Sequence, residues 1–181
     1  LLEGISPRRL AAQVMAAQPF ELPAVEGSDH PLSYNQRSLW LAHRMAPESP
    51  VYNLALAARV EVDAEGLRLA LERLAARHAV LRTTYPLVDG EPVQRIGGVG
   101  DIGVDFAVLD LEPDRIAEEA WKPFDLENGP VMRARLFVAP GERPVLMLAV
   151  HHIAADFWSL GLLLDEVAGA LTPVPSPASP P

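Results

Sequence analysis

Two adjacent histidines, His151 and His152, with a carboxylate at Asp156, form the most evident seat of chemistry in this chain. An imidazole exchanges its proton near neutral pH, so a histidine held at the mouth of a cleft can take a proton from a nucleophile. The pair closes the apolar run Val145 to Val150, which follows Pro144 and is too short for a buried helix of ordinary length. It reads as a strand inside a sheet, with the histidines at its C-terminal end. Successive side chains of a strand point to opposite faces, so one histidine should be enclosed and the other open. That alternation argues against a shared metal ion, and no cysteine exists to complete a zinc set. Taken alone, the residues also fit two hydrogen-bonded core histidines. A Ser-His-Asp hydrolase using Ser33 or Ser159 lacks the G-x-S-x-G turn that such a nucleophile needs.

Composition narrows the setting. The chain has 181 residues, 49% of them hydrophobic, enough for one domain with a core. A net charge of −9 disfavours nucleic acid and anionic membrane as partners. The absence of cysteine excludes disulfides and thiol catalysis and fits a cytoplasmic location. No apolar run approaches the roughly 20 residues of a membrane helix. Gln13 and Gln18 interrupt the apolar stretch after Arg8-Arg9, so no targeting signal is read. Because residue 1 is leucine, a segment of a longer polypeptide is expected.

The elements that must position the histidines can be taken in order. Residues 1–18 read as a short helix with Ser6 as N-cap and Pro7 at its first position. Residues 19–31 form a Pro/Gly-containing linker. Ser33 and Gln36 have capping-box spacing, so a helix should run from about Tyr34 to Arg44. A strand is expected over Tyr52 to Val62 and a helix from Asp63 to His78, whose apolar face carries Leu67, Leu71, Leu74 and Ala75. Strands over Arg82–Val88 and on to Ile96 should form a hairpin through Asp89-Gly90. Next come a strand over Val104–Leu109 and a short helix over Pro113–Trp121. Val131–Ala139 and Arg143–Val150 should pair as the hairpin that ends on the histidines. An apolar helix over Ser159–Leu171 follows, and residues 172–181 are too rich in proline to continue it.

Four stretches together carry a resemblance to one family, and a fifth, at the N-terminus, resembles the end of a different domain. His151-His152-x-x-x-Asp156 is similar to the HHxxxD signature of nonribosomal peptide synthetase condensation domains. Leu32 to Trp40 resembles that family's first motif, with the serine, glutamine, leucine and tryptophan in register. Arg77 to Tyr85 resembles RHExLRTxF, with Ala79 in place of glutamate. Pro123 to Pro130 followed by Arg133 resembles PFDL-x-x-GP-x-x-R, and residues 1–11 resemble the tail of a preceding carrier domain. The resemblance spans about residues 32–171. It implies an α+β fold, an α/β sandwich with a mixed sheet covered by helices, forming the N-terminal lobe of a chloramphenicol acetyltransferase-like domain.

The resemblance further implies an acyltransferase that condenses an acyl or peptidyl thioester with an aminoacyl thioester. The substrates would ride on phosphopantetheine arms of upstream and downstream carrier domains, with no cofactor bound directly and no metal. The second histidine, His152, would be catalytic and His151 would support it. Asp156 would be structural, bridged to Arg82 so as to fix the loop that bears His152. Phe157, which replaces the glycine of HHxxxDG, would line the channel with Trp158 and Ser159. Ser159 also suits the N-cap of the next helix. A missing C-terminal lobe would complete the active centre, so the isolated segment should be inactive. The alternatives are a non-catalytic carrier-docking module and an ester-forming or epimerising member of the family; a cyclisation domain is disfavoured because its motif departs from paired histidines.

Overall fold

The computed structural model describes Ser6, Arg8, Arg9, Ala12 and residues 27–101 and 103–171. Apart from Arg8, Arg9 and Ala12, which are helical, the helix expected over residues 1–18 lies outside the described residues, as does the stretch 172–181.

The path to the histidines starts from locally encoded helices. Helix α1, Tyr34–Met45, begins at the expected capping box: the Ser33 hydroxyl accepts from the Gln36 N–H (3.2 Å) and Gln36 Oε1 accepts from the Ser33 N–H (2.9 Å). Helix α2, Ala64–Arg77, is capped by Asp63, whose carboxylate accepts from the Gly66 N–H at 2.7 Å. This bond satisfies one of the free amides of the first turn, so Asp63→Ala should cost about 1 kcal/mol, read as a lower midpoint in urea unfolding. Helix α3, Arg115–Ala120, is short, and α4, Phe157–Leu171, ends the described chain.

The main sheet joins β2 (Asn53–Arg59), β8 (Val145–His151), β7 (Met132–Val138) and β6 (Asp105–Asp110) in the order β2-β8-β7-β6. Strand β7 runs antiparallel to β8, as expected of a hairpin, and parallel to β6, so the sheet is mixed. Side-chain alternation splits the core. Leu146, Leu148 and Val150 of β8 join Met132, Ala134 and Leu136 of β7 in a layer packed on Leu67, Leu71, Leu74 and on Leu160, Leu163, Val167. Those two triplets are the inner faces of α2 and α4. Met147 and Ala149 point the other way, toward Phe124, Phe137 and Tyr85, with Leu39 and Trp40 of α1 against them. Apolar cover on both faces explains why β8 reads as an unbroken apolar run.

A smaller sheet brackets the N-terminal part. Strand β5 (Glu91–Ile96) pairs with β1 (Asp29–Pro31), β3 (Thr83–Thr84) and β4 (Leu87–Val88). Three expectations change here. The linker expected to reach Pro31 gives way to β1, tied by a bidentate Arg95–Asp29 ion pair. The single strand expected from Arg82 begins instead as a 3-10 turn, Ala79–Arg82. Its remainder is divided between β3 and β4, with Pro86, which has no N–H to give a ladder, between them. The Asp89-Gly90 turn behaves as expected: both residues have positive φ, 51° and 83°, the geometry of a two-residue hairpin loop. Among the described residues, no helix is long and apolar enough to cross a membrane.

Candidate active site

His151 is the last residue of β8 and continues its inward alternation. Its Cα partner is Asn53 on β2, its N–H donates to Val131 O (3.0 Å), and the residue is 2% exposed. Three rings surround the imidazole: His43 edge-on at 5.7 Å between centroids, Phe124 edge-on at 6.3 Å, and Tyr52 tilted at 6.3 Å. The Ile153 N–H donates to its Nδ1 at 3.1 Å, which places the ring proton on Nε2. Burial, with the nearby His43 and His152 adding to it, pushes the imidazole down to about 4. His151 is therefore neutral at physiological pH and serves to close the turn after the strand.

The burial of neutral His151 also makes the fold sensitive to acid. An unfolded histidine takes a proton near pH 6.5, whereas the folded one resists protonation until about pH 4. The stabilisation is complete above pH 6.5 and is lost as pH falls through that window, by about 3 kcal/mol in total. His151→Gln should flatten the fall in unfolding free energy between pH 6.5 and pH 4, measured by urea titration at each pH.

His152 has the opposite surroundings. Once the chain leaves β8, its ring is exposed, and its N–H donates to Tyr52 O at 2.8 Å. The one hydrogen bond of the ring joins Nδ1 to the Ala155 carbonyl at 2.9 Å. A carbonyl only accepts, so Nδ1 carries the proton and Nε2 presents its lone pair outward. This tautomer is the one a general base needs.

His152 lies in an open cleft of about 570 Å³. One wall is the N-terminal part of α1, Asn35, Gln36, Ser38 and Leu39; the other runs from Ile153 through Asp156 to Ser159. Most of the polar side chains here are engaged. Gln36 holds the capping box and reaches Gln94 Oε1 at 3.4 Å, and the Ser38 hydroxyl donates to Tyr34 O. Asp156 Oδ1 accepts from both the Ser159 N–H (2.7 Å) and the Ser159 hydroxyl (2.6 Å). These bonds hold the Asp156 carboxyl below its ordinary value.

The geometry revises three expected roles. Arg82 and Asp156 form no ion pair: Arg82 Nε donates to Ala75 O at 2.9 Å and its guanidinium also bonds Gly97 O. Each charge is taken by a helix end. Arg82 gathers a free carbonyl at the C-terminus of α2, while Asp156 meets the free amides at the N-terminus of α4. Asp156, rather than Ser159, is therefore the capping residue. Of the three residues expected to line a channel, Ser159 lines the cleft, whereas Phe157 and Trp158 stand outside it, 65% and 80% exposed.

Behind His151, a buried polar cluster holds the loop that carries Phe124. Arg133 on β7 donates to Glu119 O, Lys122 O and Pro123 O at 2.9 to 3.2 Å, and its guanidinium lies 4.6 Å from the Phe124 ring centre. Asn53 Nδ2 bonds Ala120 O and Lys122 O. Arg135, two residues along the same face of β7, pairs with Glu119 (2.8 Å) and with Asp105 (2.6 Å). Arg133 and Phe124 were visible in the sequence as motif positions. Asn53, His43 and Arg135 carry no local signal, because their partners come from remote segments.

A family model described as the condensation domain matches residues 27–173. The chain is 38% identical over 177 residues to a probable non-canonical nonribosomal peptide synthetase, CymA, of Salinispora arenicola; the match covers 92% of this chain and 2% of that protein. Among solved structures it is similar to the X-domain in a complex with OxyB from teicoplanin biosynthesis, with TM-score 0.72 and 30% identity over 86% of this chain and 35% of the other. It is also similar to the starter condensation domain of rhizomide synthetase RzmA, with TM-score 0.68 and 25% identity over 78% of this chain and 37% of the other. The chain thus spans little more than a third of these solved domains and a small fraction of the curated relative.

Proposed function

This chain belongs to the condensation-domain family, and on that premise we propose that it is the histidine-bearing lobe of a domain that joins two carrier-tethered thioesters through an amide bond. The observation that carries this reading is the His152 ring, with Nδ1 tied to Ala155 O and Nε2 directed outward in the cleft. The upstream acyl or peptidyl group and the downstream aminoacyl group arrive on phosphopantetheine arms of carrier domains. The downstream amine attacks the upstream thioester carbonyl, Nε2 of His152 accepts the amine proton, and the expelled thiolate takes that proton as the amide forms. A base placed in this way contributes about 10²–10⁴-fold. Holding both tethered reactants together contributes as well, since effective molarities of oriented groups reach about 10⁵ M or more.

The other residues keep His152 in place. His151 anchors the turn through the Ile153 N–H, and Asp156 with Ser159 fixes the start of α4. The enzyme works as part of a larger cytoplasmic synthetase, and the remainder of the domain encloses the cleft and aligns the arms.

Similarity to an X-domain that forms a complex with OxyB supports a second reading, a docking module without catalysis. The two separate in one experiment. The domain containing this chain is supplied with two carriers, one loaded with an acyl group and the other with an aminoacyl group, and products are identified by mass. Amide on the downstream carrier, lost with His152→Ala, is expected; carrier binding without product would establish the docking reading.

A further inference from the structure

The cleft around His152 contains a second unengaged group. Ser38 and Ser159 donate their single hydroxyl hydrogens elsewhere, to Tyr34 O and Asp156 Oδ1; Gln36 is half-buried, with both ends of its carboxamide held, Oε1 by the Ser33 N–H and Nε2 by Gln94 Oε1; and the remaining polar neighbour, Asp156, is a carboxylate that can only accept. Asn35 differs from all of them. It lines the cleft from the first turn of α1, is exposed, and its carboxamide makes no side-chain hydrogen bond. Its backbone lies in a helix fixed independently by the Ser33–Gln36 capping box, so the side chain has no part in holding that turn. Among the described lining residues, the free side-chain functions suited to a reaction are thus an acceptor, His152 Nε2, on one wall, and a donor, Asn35 Nδ2, on the other.

We propose that Asn35 is a further catalytic residue, whose Nδ2–H donates to the thioester carbonyl oxygen while His152 receives the amine proton. The inference rests on the condensation reading above. When the amine nitrogen bonds to the carbonyl carbon, the C=O π pair moves onto oxygen, and a donor aimed at that oxygen stabilises the charge as it develops. The oxyanion then re-forms C=O, the carbon–sulfur bond breaks, and the thiolate leaves with the proton held by His152. Nothing is oxidised or reduced, and the only co-reactants are the two thioesters. An amide donor suits this task because it presents two N–H groups and carries no charge that a nearby carboxylate such as Asp156 would hold.

The test uses the complete domain with two loaded carriers in single turnover, comparing wild type, Asn35→Ala, Asn35→Asp, Asn35→Gln and His152→Ala. Removing a donor to a developing oxyanion costs about 10²–10³-fold in kcat. Asn35→Ala should lose about that factor with KM for either carrier changed less than about threefold, which a loss of ground-state binding alone would not produce. Asn35→Asp, of the same size but with an accepting carboxylate, should be at least as slow; Asn35→Gln, which keeps the donor, should recover part of the rate. Unfolding midpoints should stay at the wild-type value, since the side chain is exposed and unbonded. If His152→Ala abolishes turnover while Asn35→Ala stays within twofold of wild type, the Asn35 proposal is wrong and the condensation reading stands. If amide forms equally well without His152, the assignment of His152 as the base fails; if the wild-type domain forms no amide from the two loaded carriers, the condensation reading itself fails.

Discussion

Replacing His152 with alanine in the complete domain should lower the rate of amide formation by about 10²–10⁴-fold, the largest single effect expected on activity. The same change should leave stability almost untouched, because the ring is exposed and makes one hydrogen bond, to Ala155 O. Replacing His151 should do the reverse. Its imidazole fills a closed space between His43, Phe124 and Tyr52, so His151→Ala opens a cavity and removes the acceptor for the Ile153 N–H. Single-turnover rates and urea midpoints measured on the two variants should therefore cross over. A shared loss of rate and stability in both would contradict the division of labour between the two histidines.

The largest effect on stability is expected at Arg135. Its guanidinium bridges Glu119, whose side chain is 4% exposed, and Asp105, and it also bonds the Asp105 and Ala134 carbonyls. Burial pushes the Glu119 carboxyl upward, but hydrogen bonds from Lys122 and Arg135 more than offset it and hold the group below its ordinary value. Asp105 follows the same pattern, with burial opposed chiefly by Arg135. Arg135→Met leaves the buried Glu119 carboxylate with Lys122 as its remaining ion-pair partner and should cost about 3 kcal/mol. Arg135→Met combined with Glu119→Leu removes both charges, and most of that loss should return, since buried pairs seldom exceed well-packed apolar side chains in stability. Because both carboxyls are depressed, their contribution is present above the ordinary carboxylate range and is lost as pH falls through their lowered values. The wild-type acid transition should thus have two stages: His151 between pH 6.5 and 4, then the Arg135 cluster below it. Arg135→Met should shrink the second stage and leave the first.

How much of this could be read beforehand depended on the range of the interaction. The Ser33–Gln36 box, the Asp63 cap and the Asp89-Gly90 turn act within four residues, and each stands where the pattern put it. The β7–β8 hairpin was legible because a continuous apolar run bounded by Pro144 leaves few other conformations. The pairing of β1 with β5 was not, since its register depends on residues more than sixty positions apart. For the same reason Arg133 and Arg135 gave no sign of burial: on composition alone two arginines in a strand suggest a solvent face, and only the approach of Glu119 and Asp105 reverses that. Within the site, His152, Asp156 and Ser159 line one cleft, but the contact expected between Arg82 and Asp156 is not made. The Asp156–Ser159 spacing is itself a capping signal, and that local bond prevails over a pairing with Arg82, which meets a carbonyl close to its own turn.

The central claim is that this lobe supplies the base and that the rest of the domain completes the reaction. It is tested most directly by comparing this 181-residue chain with the same chain extended through the remainder of the domain, each supplied with two loaded carriers. The lobe alone should unfold cooperatively in urea, since its core is packed on both faces of the main sheet, yet form no amide above background. The extended chain should form the amide, and His152→Ala within it should remove that activity. Amide formation by the isolated lobe at the rate of the extended chain would contradict the account.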